Sequence, residues 1–223
     1  MPDQHQLHDT AAVPTAEDAR RALTGHLPIP SPISSSDSLD NAWGFHAWFK
    51  LEMLFTTGSF KERGARYKLS SLTAEERSRG VIAASAGNHA QALAFHARAL
   101  GIPCTIVMPE NAPLIKVRNT SGQGARVILH GCDYDSALEQ AKQLAEEENN
   151  VFISGFDDPW IIAGQGTVGL ELLEECEGLD CVIVPVGGGG LIAGIATAIK
   201  QRAPHVRVIG VQARACPSAR AAL

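Results

Sequence analysis

Short apolar segments alternate with longer helical segments through most of this chain, and this alternation limits the fold more than any other feature. The apolar segments are predicted strands at 46–52, 80–85, 103–108, 125–130, 151–154, 180–187 and 206–213. The predicted helices lie at 15–23, 59–72, 88–100, 112–122, 133–149, 161–176 and 191–203. Apolar strands separated by helices are typical of sheets buried on both faces, so the sequence predicts an α/β fold with parallel sheets covered by helices.

The beginning of the chain follows a different pattern. Residues 1–13 are polar and are expected to form a loose leader, followed by a short helix that Thr15 caps together with Asp18. The segment 26–38 is rich in proline and serine, and we expect it to be extended or turning. Regular α/β structure is therefore expected only after this segment.

The composition argues against several classes of partner. Of 223 residues, 45% are apolar and 19% are charged, as in soluble globular proteins, and a net charge of −5 gives no attraction to nucleic acid or to an anionic membrane. No apolar stretch is long enough to span a membrane. The five cysteines form no CxxC pair and the N-terminus lacks a secretory signal, which together predict a cytoplasmic protein. The eight histidines lack the spacing of metal ligands, so no metal is expected.

Three loops, each between a predicted strand and a predicted helix, contain residues suited to chemistry. The first is Thr56–Ala65, where Lys61 follows Phe60 near the start of a helix for which Ser59 and Glu62 predict a capping box. Lysine becomes a nucleophile when its pKa is lowered, as Schiff-base chemistry requires. An exposed lysine on a first helical turn is the structural alternative.

The second loop, in Ala84–Phe95, places Ser85, Gly87, Asn88 and His89 at a turn before a helix. Free backbone N–H groups at such a turn can bind a carboxylate or a phosphate. The alternatives are that Ser85 or Asn88 only caps the helix, and that His89 is a buried histidine without a chemical role.

The third loop, Pro185–Gly194, contains four consecutive glycines after an apolar strand. Glycine allows positive φ and close approach of the backbone, and the N–H groups of such a turn hold phosphate well, whereas a purely structural turn rarely needs four glycines. The sequence GQGTVG at 164–169 superficially matches a dinucleotide-binding motif. It lies inside a predicted helix with no strand before it, so we do not expect it to bind a nucleotide.

The order and spacing of GSFKERGA, SAGNHAQ, AGQGTVGLEL and GGGGLIAG resemble the serine/threonine dehydratase family of fold-type II pyridoxal-phosphate (PLP) enzymes. The resemblance covers about residues 28–223 and includes the outline of Pro109–Gly131. It implies a tryptophan-synthase-β-like fold with PLP as cofactor. Phe60 and SAGNHAQ favour the dehydratases over the cysteine synthases, which have valine and TSGNTG there.

The resemblance also implies roles for individual residues. Lys61 is the implied catalytic residue, which binds the cofactor and then removes the Cα proton of the substrate. Asn88 would donate to the ring hydroxyl, and Phe60 would pack beside the ring. The implied cofactor-binding residues are Phe60, Lys61, Asn88, Gly187, Gly188, Gly189, Gly190 and Leu191. The implied substrate-carboxylate residues are Ser85, Ala86, Gly87, Asn88 and His89.

The implied reaction is elimination of the β-hydroxyl of threonine or serine to give a 2-oxo acid and ammonia. Serine racemases have a second serine where this chain has Ala86, and alanine has no proton to give, so elimination is favoured over racemisation. Gln212 stands where the metal-dependent members have acidic residues, so no metal is carried over. Serine racemase, hydroxyaspartate dehydratase and an inactive truncated fragment remain as alternatives.

The family pattern divides the chain into an N-terminal leader with a short helix (1–25), a large PLP-binding domain (26–79 with 158–223) and a small substrate-closing domain (80–157). Family members continue well beyond the position of Leu223, so we expect either a fragment, an unstable truncated chain or one that needs a partner. The complete protein is expected to be a homo-oligomer, either a dimer or a tetramer.

Overall fold

The computed structural model describes residues 13–222, so almost all of the predicted leader lies outside the described residues. The strands are β1 Ile33–Ser35, β2 Trp48–Lys50, β3 Val81–Ala84, β4 Cys104–Met108, β5 Arg126–Leu129, β6 Val151–Phe152, β7 Cys181–Pro185 and β8 Arg207–Val211. The helices are α1 Ala16–Leu23, α2 Asp37–Trp43, α3 Lys61–Ser71, α4 Ala74–Arg79, α5 Asn88–Ala99, α6 Leu114–Gly122, α7 Tyr134–Glu147, α8 Pro159–Glu175, α9 Gly190–Arg202 and α10 Ser218–Ala222, with a 3-10 turn at Glu52–Leu54. The predicted α/β class is confirmed.

The largest sheet is parallel and has the strand order β5-β4-β3-β6. Every residue of β3 and β4 is buried, which explains why these strands are apolar without alternation. Helices α3 and α5 contribute to the apolar cluster on one face, and α7 covers the other face through Ala137, Ala141 and Ala145. The 85–89 turn follows β3 directly, at the carboxyl end of this sheet.

A second parallel pair, β7 and β8, lies in the C-terminal part of the chain. Its apolar cluster combines Val182 and Val184 with residues of α8 and α9. Ile183 of β7 and Ile209 and Val211 of β8 are exposed. Because β7 ends at Pro185 and α9 begins at Gly190, the four-glycine turn (Gly187–Gly190) lies at the carboxyl end of this strand.

Glycines in α8 allow three helices to cross at backbone contact. A Cβ atom at Gly164 would lie 2.6 Å from the Cα atom of Gly64 in α3, and one at Gly166 would lie 2.9 Å from the carbonyl oxygen of Gly194 in α9. Real Cβ atoms do not approach so closely, so these positions require glycine. The motif at 164–169 therefore lies within helix α8 and serves helix packing.

A buried ion network joins α3, α8 and the hairpin of β1 and β2. The Arg63 side chain is fully buried, and its guanidinium donates to Glu171 at 2.6 Å and to Glu52 at 2.8 Å. Lys50 lies 2.9 Å from Glu171 and also contacts Glu175. Buried charges are tolerated when they are paired and hydrogen-bonded, so this network fixes the packing of these elements.

The structure corrects some local predictions. Ser59 and Glu62 do not form a capping box: α3 begins at Lys61, the Ser59 hydroxyl accepts from the Lys61 N–H at 3.4 Å, and the Glu62 carboxylate accepts from the Thr57 N–H instead. The physical reason is that Phe60 has already turned into helical geometry, so that Ser59 lies one residue before the cap position. The capping box of Thr15 and Asp18 is confirmed.

Several short elements were not predicted. The predicted strand at 46–52 is only three residues long, and the segment expected to be extended or turning contains β1, its antiparallel partner. Helices α2, α4 and α10 have at most seven residues each, which is too short for a clear apolar repeat. Within residues 13–222 no helix is both long and apolar enough to cross a membrane.

Candidate active site

Lys61 is the first residue of α3 and is largely buried. Its amine donates a hydrogen bond to the carbonyl oxygen of Gly155 and lies 5.3 Å from the ring centroid of Phe60. Burial lowers the pKa of Lys61 from 10.5 to about 8, because the charged form loses its hydration. A larger fraction of this amine is therefore neutral near pH 7 than for an ordinary lysine. Its partial burial and its contact with Gly155 differ from those of a solvated surface lysine.

The 85–89 turn uses the side chain of Ser85 for its own structure. The Ser85 hydroxyl accepts from the N–H groups of Gly87 at 3.2 Å and Ala90 at 3.3 Å. The Ser85 side chain thus supports the first turn of α5, whose cap residue is Gly87. Among the described residues, no acceptor faces the N–H groups of Ala86, Asn88 and His89. These three donors remain free to bind a carboxylate.

His89 is buried, and its ring lies against Gly155. A Cβ atom at Gly155 would lie 3.0 Å from the ring Cγ atom, so the two residues pack at the limit of contact. Burial, and then the positive charge of Lys61, lower the pKa of His89 to about 3, so the ring is neutral at physiological pH.

The four-glycine turn packs against Phe156. A Cβ atom at Gly188 would lie 2.5 Å from the Phe156 ring, and one at Gly190 would lie 2.6 Å from the Phe156 carbonyl oxygen. Gly189 has φ +92°, a conformation that L side chains rarely adopt. Among the described residues, no backbone acceptor faces the N–H groups from Gly187 to Leu191. A turn of unpaired N–H groups at a helix N-terminus suits a phosphate.

Gly155 and Phe156 connect all three loops, and sequence reasoning missed both residues. Gly155 contacts Lys61 through its carbonyl oxygen and His89 through its Cα atom, while Phe156 lies on the four-glycine turn. The available signal was their position, since they closely follow β6 at the carboxyl end of the largest sheet. The structure therefore brings Lys61, His89 and the glycine turn together around one short segment.

These residues fit PLP, the cofactor that the family resemblance implies. An amine of lowered pKa suits an aldehyde, and the unpaired N–H groups of the glycine turn suit a phosphate. The Phe60 ring lies beside the amine, and Asn88 is the exposed first residue of α5. Within residues 13–222, no cluster of three or more His, Cys, Asp or Glu residues could hold a metal ion.

Comparisons with known proteins agree with this geometry. The chain is 51% identical over 207 residues to an L-threonine ammonia-lyase of Thermotoga maritima, covering 93% of this chain and 51% of that protein. It resembles the solved structure of threonine deaminase isoform 2 from Solanum lycopersicum, with a TM-score of 0.80, 39% identity, and coverage of 89% of this chain and 58% of that one. For maize serine racemase the TM-score is 0.89 at 35% identity, with coverage of 95% and 66%.

The chain spans about half the length of curated relatives that it matches, with 51% of the Thermotoga maritima protein and 44% of an L-threonine ammonia-lyase of Geobacter sulfurreducens covered. The family model described as "Pyridoxal-phosphate dependent enzyme" matches residues 26–223, which include Lys61, the 85–89 turn and the four-glycine turn. On this match and on the fold shared with the solved structures, the chain belongs to the pyridoxal-phosphate-dependent enzyme family.

Proposed function

We propose that this chain is the cofactor-binding part of a threonine/serine ammonia-lyase. The observation that carries the proposal is the environment of the Lys61 amine. This amine is desolvated and donates to the Gly155 carbonyl, and the next residue, Phe156, packs on the four-glycine turn. The relatives named L-threonine ammonia-lyase support the threonine substrate. The amino acid would lose its Cα proton and β-hydroxyl as water, and the released enamine would be hydrolysed, through its imine form, to a 2-oxo acid and ammonia.

Each side of the site has a separate task in this proposal. The N–H groups from Gly187 to Leu191 bind the cofactor phosphate, Asn88 donates to the ring hydroxyl, and Phe60 packs beside the ring. When bound, PLP stabilises the negative charge that develops at the substrate Cα atom. Lys61, once its amine is free, takes the Cα proton and is held in place for this by the Gly155 carbonyl.

The 85–89 turn binds the substrate carboxylate through its backbone. The Ser85 hydroxyl is engaged in capping, so the N–H groups of Ala86, Asn88 and His89 are the better donors. A neutral His89 contributes no charge to this interaction, and its ring instead supports Gly155. The turn therefore orients the carboxylate by hydrogen bonds and by the positive end of the α5 dipole.

The same proposal includes the division into a large domain, 26–79 with 158–223, and a small domain, 80–157. In support, the four-stranded sheet lies wholly within 81–152, whereas β7 and β8 form a separate sheet within 181–211. The small domain carries the 85–89 turn and the large domain carries Lys61 and the glycine turn. Closure of one on the other would exclude water from the substrate.

Serine racemase is the second candidate, because the fold of maize serine racemase matches with a TM-score of 0.89. Ala86 argues against it, since racemisation needs a proton donor on the face of the substrate opposite Lys61. Among the solved structures, the identity to threonine deaminase isoform 2 is 39% against 35% for the racemase, which favours elimination as well.

The proposal is tested with the purified chain and with a longer chain that continues past Leu223. After addition of PLP, we expect an absorbance band at about 410–420 nm, as for a protonated Schiff base. This band should be absent in Lys61→Ala. Incubation with L-threonine and L-serine should give 2-oxo acids, while chiral chromatography should find no D-serine. D-serine formation would favour the racemase, and the absence of a band in both chains would contradict the proposal.

The partners in this proposal are an amino-acid substrate, threonine or serine, and further copies of the same chain in the complete protein. Sedimentation velocity of the longer chain would show whether it is a dimer or a tetramer. The cytoplasmic location stays a prediction.

A further inference from the structure

A buried carboxylate lies directly beside the candidate catalytic lysine, and the proposed reaction does not use it. Glu62, the residue after Lys61, is 1% exposed. One of its carboxylate oxygens lies 3.2 Å from Nε2 of His96 in α5, and the other accepts a hydrogen bond from the Thr57 N–H. His96 is itself only 3% exposed, so both members of the pair are removed from solvent.

The carboxylate of Glu62 is ionised in spite of its burial. Burial alone would raise its pKa, but the contact with His96 and the hydrogen bond from the Thr57 N–H lower the pKa below its ordinary value. A buried charge is retained only where its partners are well placed. The positions of Thr57 and His96 relative to Glu62 are therefore strongly constrained.

These two partners belong to different parts of the site. Thr57 begins the turn that leads through Gly58, with φ +76°, to Phe60 and Lys61. His96 lies in α5, the helix that begins at Asn88 directly after the 85–89 turn. Glu62 thus joins the turn that carries the lysine to the helix that follows the proposed carboxylate-binding turn.

We propose that Glu62 is a positioning residue for Lys61: together with His96 it fixes the turn 57–60, so that the lysine amine is held in its desolvated place at the Gly155 carbonyl. The inference rests on the proposed role of Lys61. Burial lowers the pKa of Lys61, and the charge of Glu62 does not contribute to this shift. Glu62 therefore acts on the lysine by fixing its position.

The test measures the acidity of the Lys61 amine in the cofactor-free protein, where no turnover is needed. The amine is labelled with a small water-soluble acylating reagent at a series of pH values, and labelling of the Lys61 peptide is quantified by mass spectrometry. For the unsubstituted chain the midpoint should lie at about 8. Binding of PLP is followed separately by fluorescence.

Glu62→Leu removes both contacts, so the turn should loosen and the amine should gain water. We expect its labelling midpoint to rise by about one pH unit towards that of an ordinary lysine. Glu62→Gln keeps an oxygen acceptor for the Thr57 N–H and should leave the midpoint close to that of the unsubstituted chain. His96→Leu should shift the labelling midpoint in the same direction as Glu62→Leu. If Glu62→Leu does not fold, His96→Leu is used in its place.

Lys68→Met is the matched control. Lys68 also lies in α3 and pairs with Asp158 at 2.8 Å, with both side chains mostly buried, but it is seven residues from Lys61. This substitution should lower the melting temperature and leave the Lys61 midpoint unchanged. If Glu62→Leu or its replacement His96→Leu behaves like Lys68→Met, with lower stability and an unchanged midpoint, the pair is only structural and the inference is overturned.

The result also separates this inference from the proposed function. A shifted midpoint in Glu62→Leu supports the positioning role even if the unsubstituted chain fails to bind PLP, which would contradict the function alone. A normal PLP complex with an unshifted midpoint would contradict the positioning role alone.

Discussion

The ring of Phe156 lies so close to the four-glycine turn that a Cβ atom at Gly188 would stand 2.5 Å from the ring. Phe156 follows the residue whose carbonyl oxygen accepts a hydrogen bond from Lys61. The aromatic ring therefore links the position of the amine to the position of the turn that we propose binds the phosphate.

Gly188→Ala should weaken binding of PLP. The added methyl group displaces either the ring or the turn, and overpacking of about 1–3 kcal/mol corresponds to about 5- to 160-fold weaker binding. Fluorescence titration of the purified protein with PLP measures this change. Phe156→Ala in the same chain removes the obstruction and should restore part of the affinity. If Gly188→Ala alone binds PLP as tightly as the unsubstituted protein, the close packing of ring and turn has no role in binding.

Lys61→Met should stabilise the cofactor-free protein at pH 7. The folded state holds the lysine with a pKa of about 8 against 10.5 when unfolded, so burying its charge costs on the order of 3 kcal/mol below pH 8. This penalty falls as the pH rises from 8 to 10.5, because the folded protein loses its proton first. Urea unfolding should therefore show that Lys61→Met has a higher free energy of unfolding than the unsubstituted protein at pH 7, and that this difference is smaller at pH 10.

Lys142→Met is the control for this experiment, because Lys142 is exposed on α7. Its effect on stability should be small and should not change between pH 7 and pH 10. An equal gain for Lys61→Met at both pH values would show that the lysine is not desolvated.

His89 should make the protein sensitive to acid. The unfolded chain binds a proton at this histidine near pH 6.5, whereas the folded chain does so only near pH 3, so stability falls as the pH drops through this range. His89→Leu should flatten the stability curve between pH 6.5 and pH 4, as measured by thermal unfolding. The exposed His205 offers a control, since His205→Leu should leave the slope unchanged. If the melting temperature of His89→Leu still falls with pH as steeply as that of the unsubstituted protein, the prediction is contradicted.

Gly164→Ala should destabilise the protein through the crossing of α3 and α8. Its methyl group would lie 2.6 Å from the Cα atom of Gly64, and the resulting separation of the helices should cost about 1–3 kcal/mol in the free energy of unfolding. Gly122→Ala, at the end of α6 with no atom within 4 Å of the added group, should instead be neutral or stabilise by up to about 1 kcal/mol. Similar melting temperatures for the two variants would contradict this account of the crossing.

Much of the fold and the three loops could be predicted because their signals are local. The central strands of the largest sheet are continuous apolar segments. Each loop contains residues that an ordinary turn does not need, such as the four glycines after β7. Thr15 and Asp18 specify a helix start within four residues, which is why that capping box was predicted correctly.

The contacts that bind the site together could not be predicted, because they join residues far apart in the chain. Gly155 lies 94 residues from Lys61, and its role depends on a carbonyl oxygen rather than on a recognisable side chain. Glu62 has the spacing from Ser59 of a capping residue, but the packing of α5 brings His96 to its carboxylate and the Thr57 N–H takes the other oxygen. Tertiary contacts therefore overrode the local signal.

The glycine contacts of α8 bear on how such a chain can be engineered. Gly64 meets Gly164, and Gly166 meets Gly194, so Lys61 and the four-glycine turn are carried by helices in direct backbone contact. Libraries of variants should therefore leave these glycines untouched, together with Gly155 and Phe156, because a shifted backbone at either place would separate the amine from the turn.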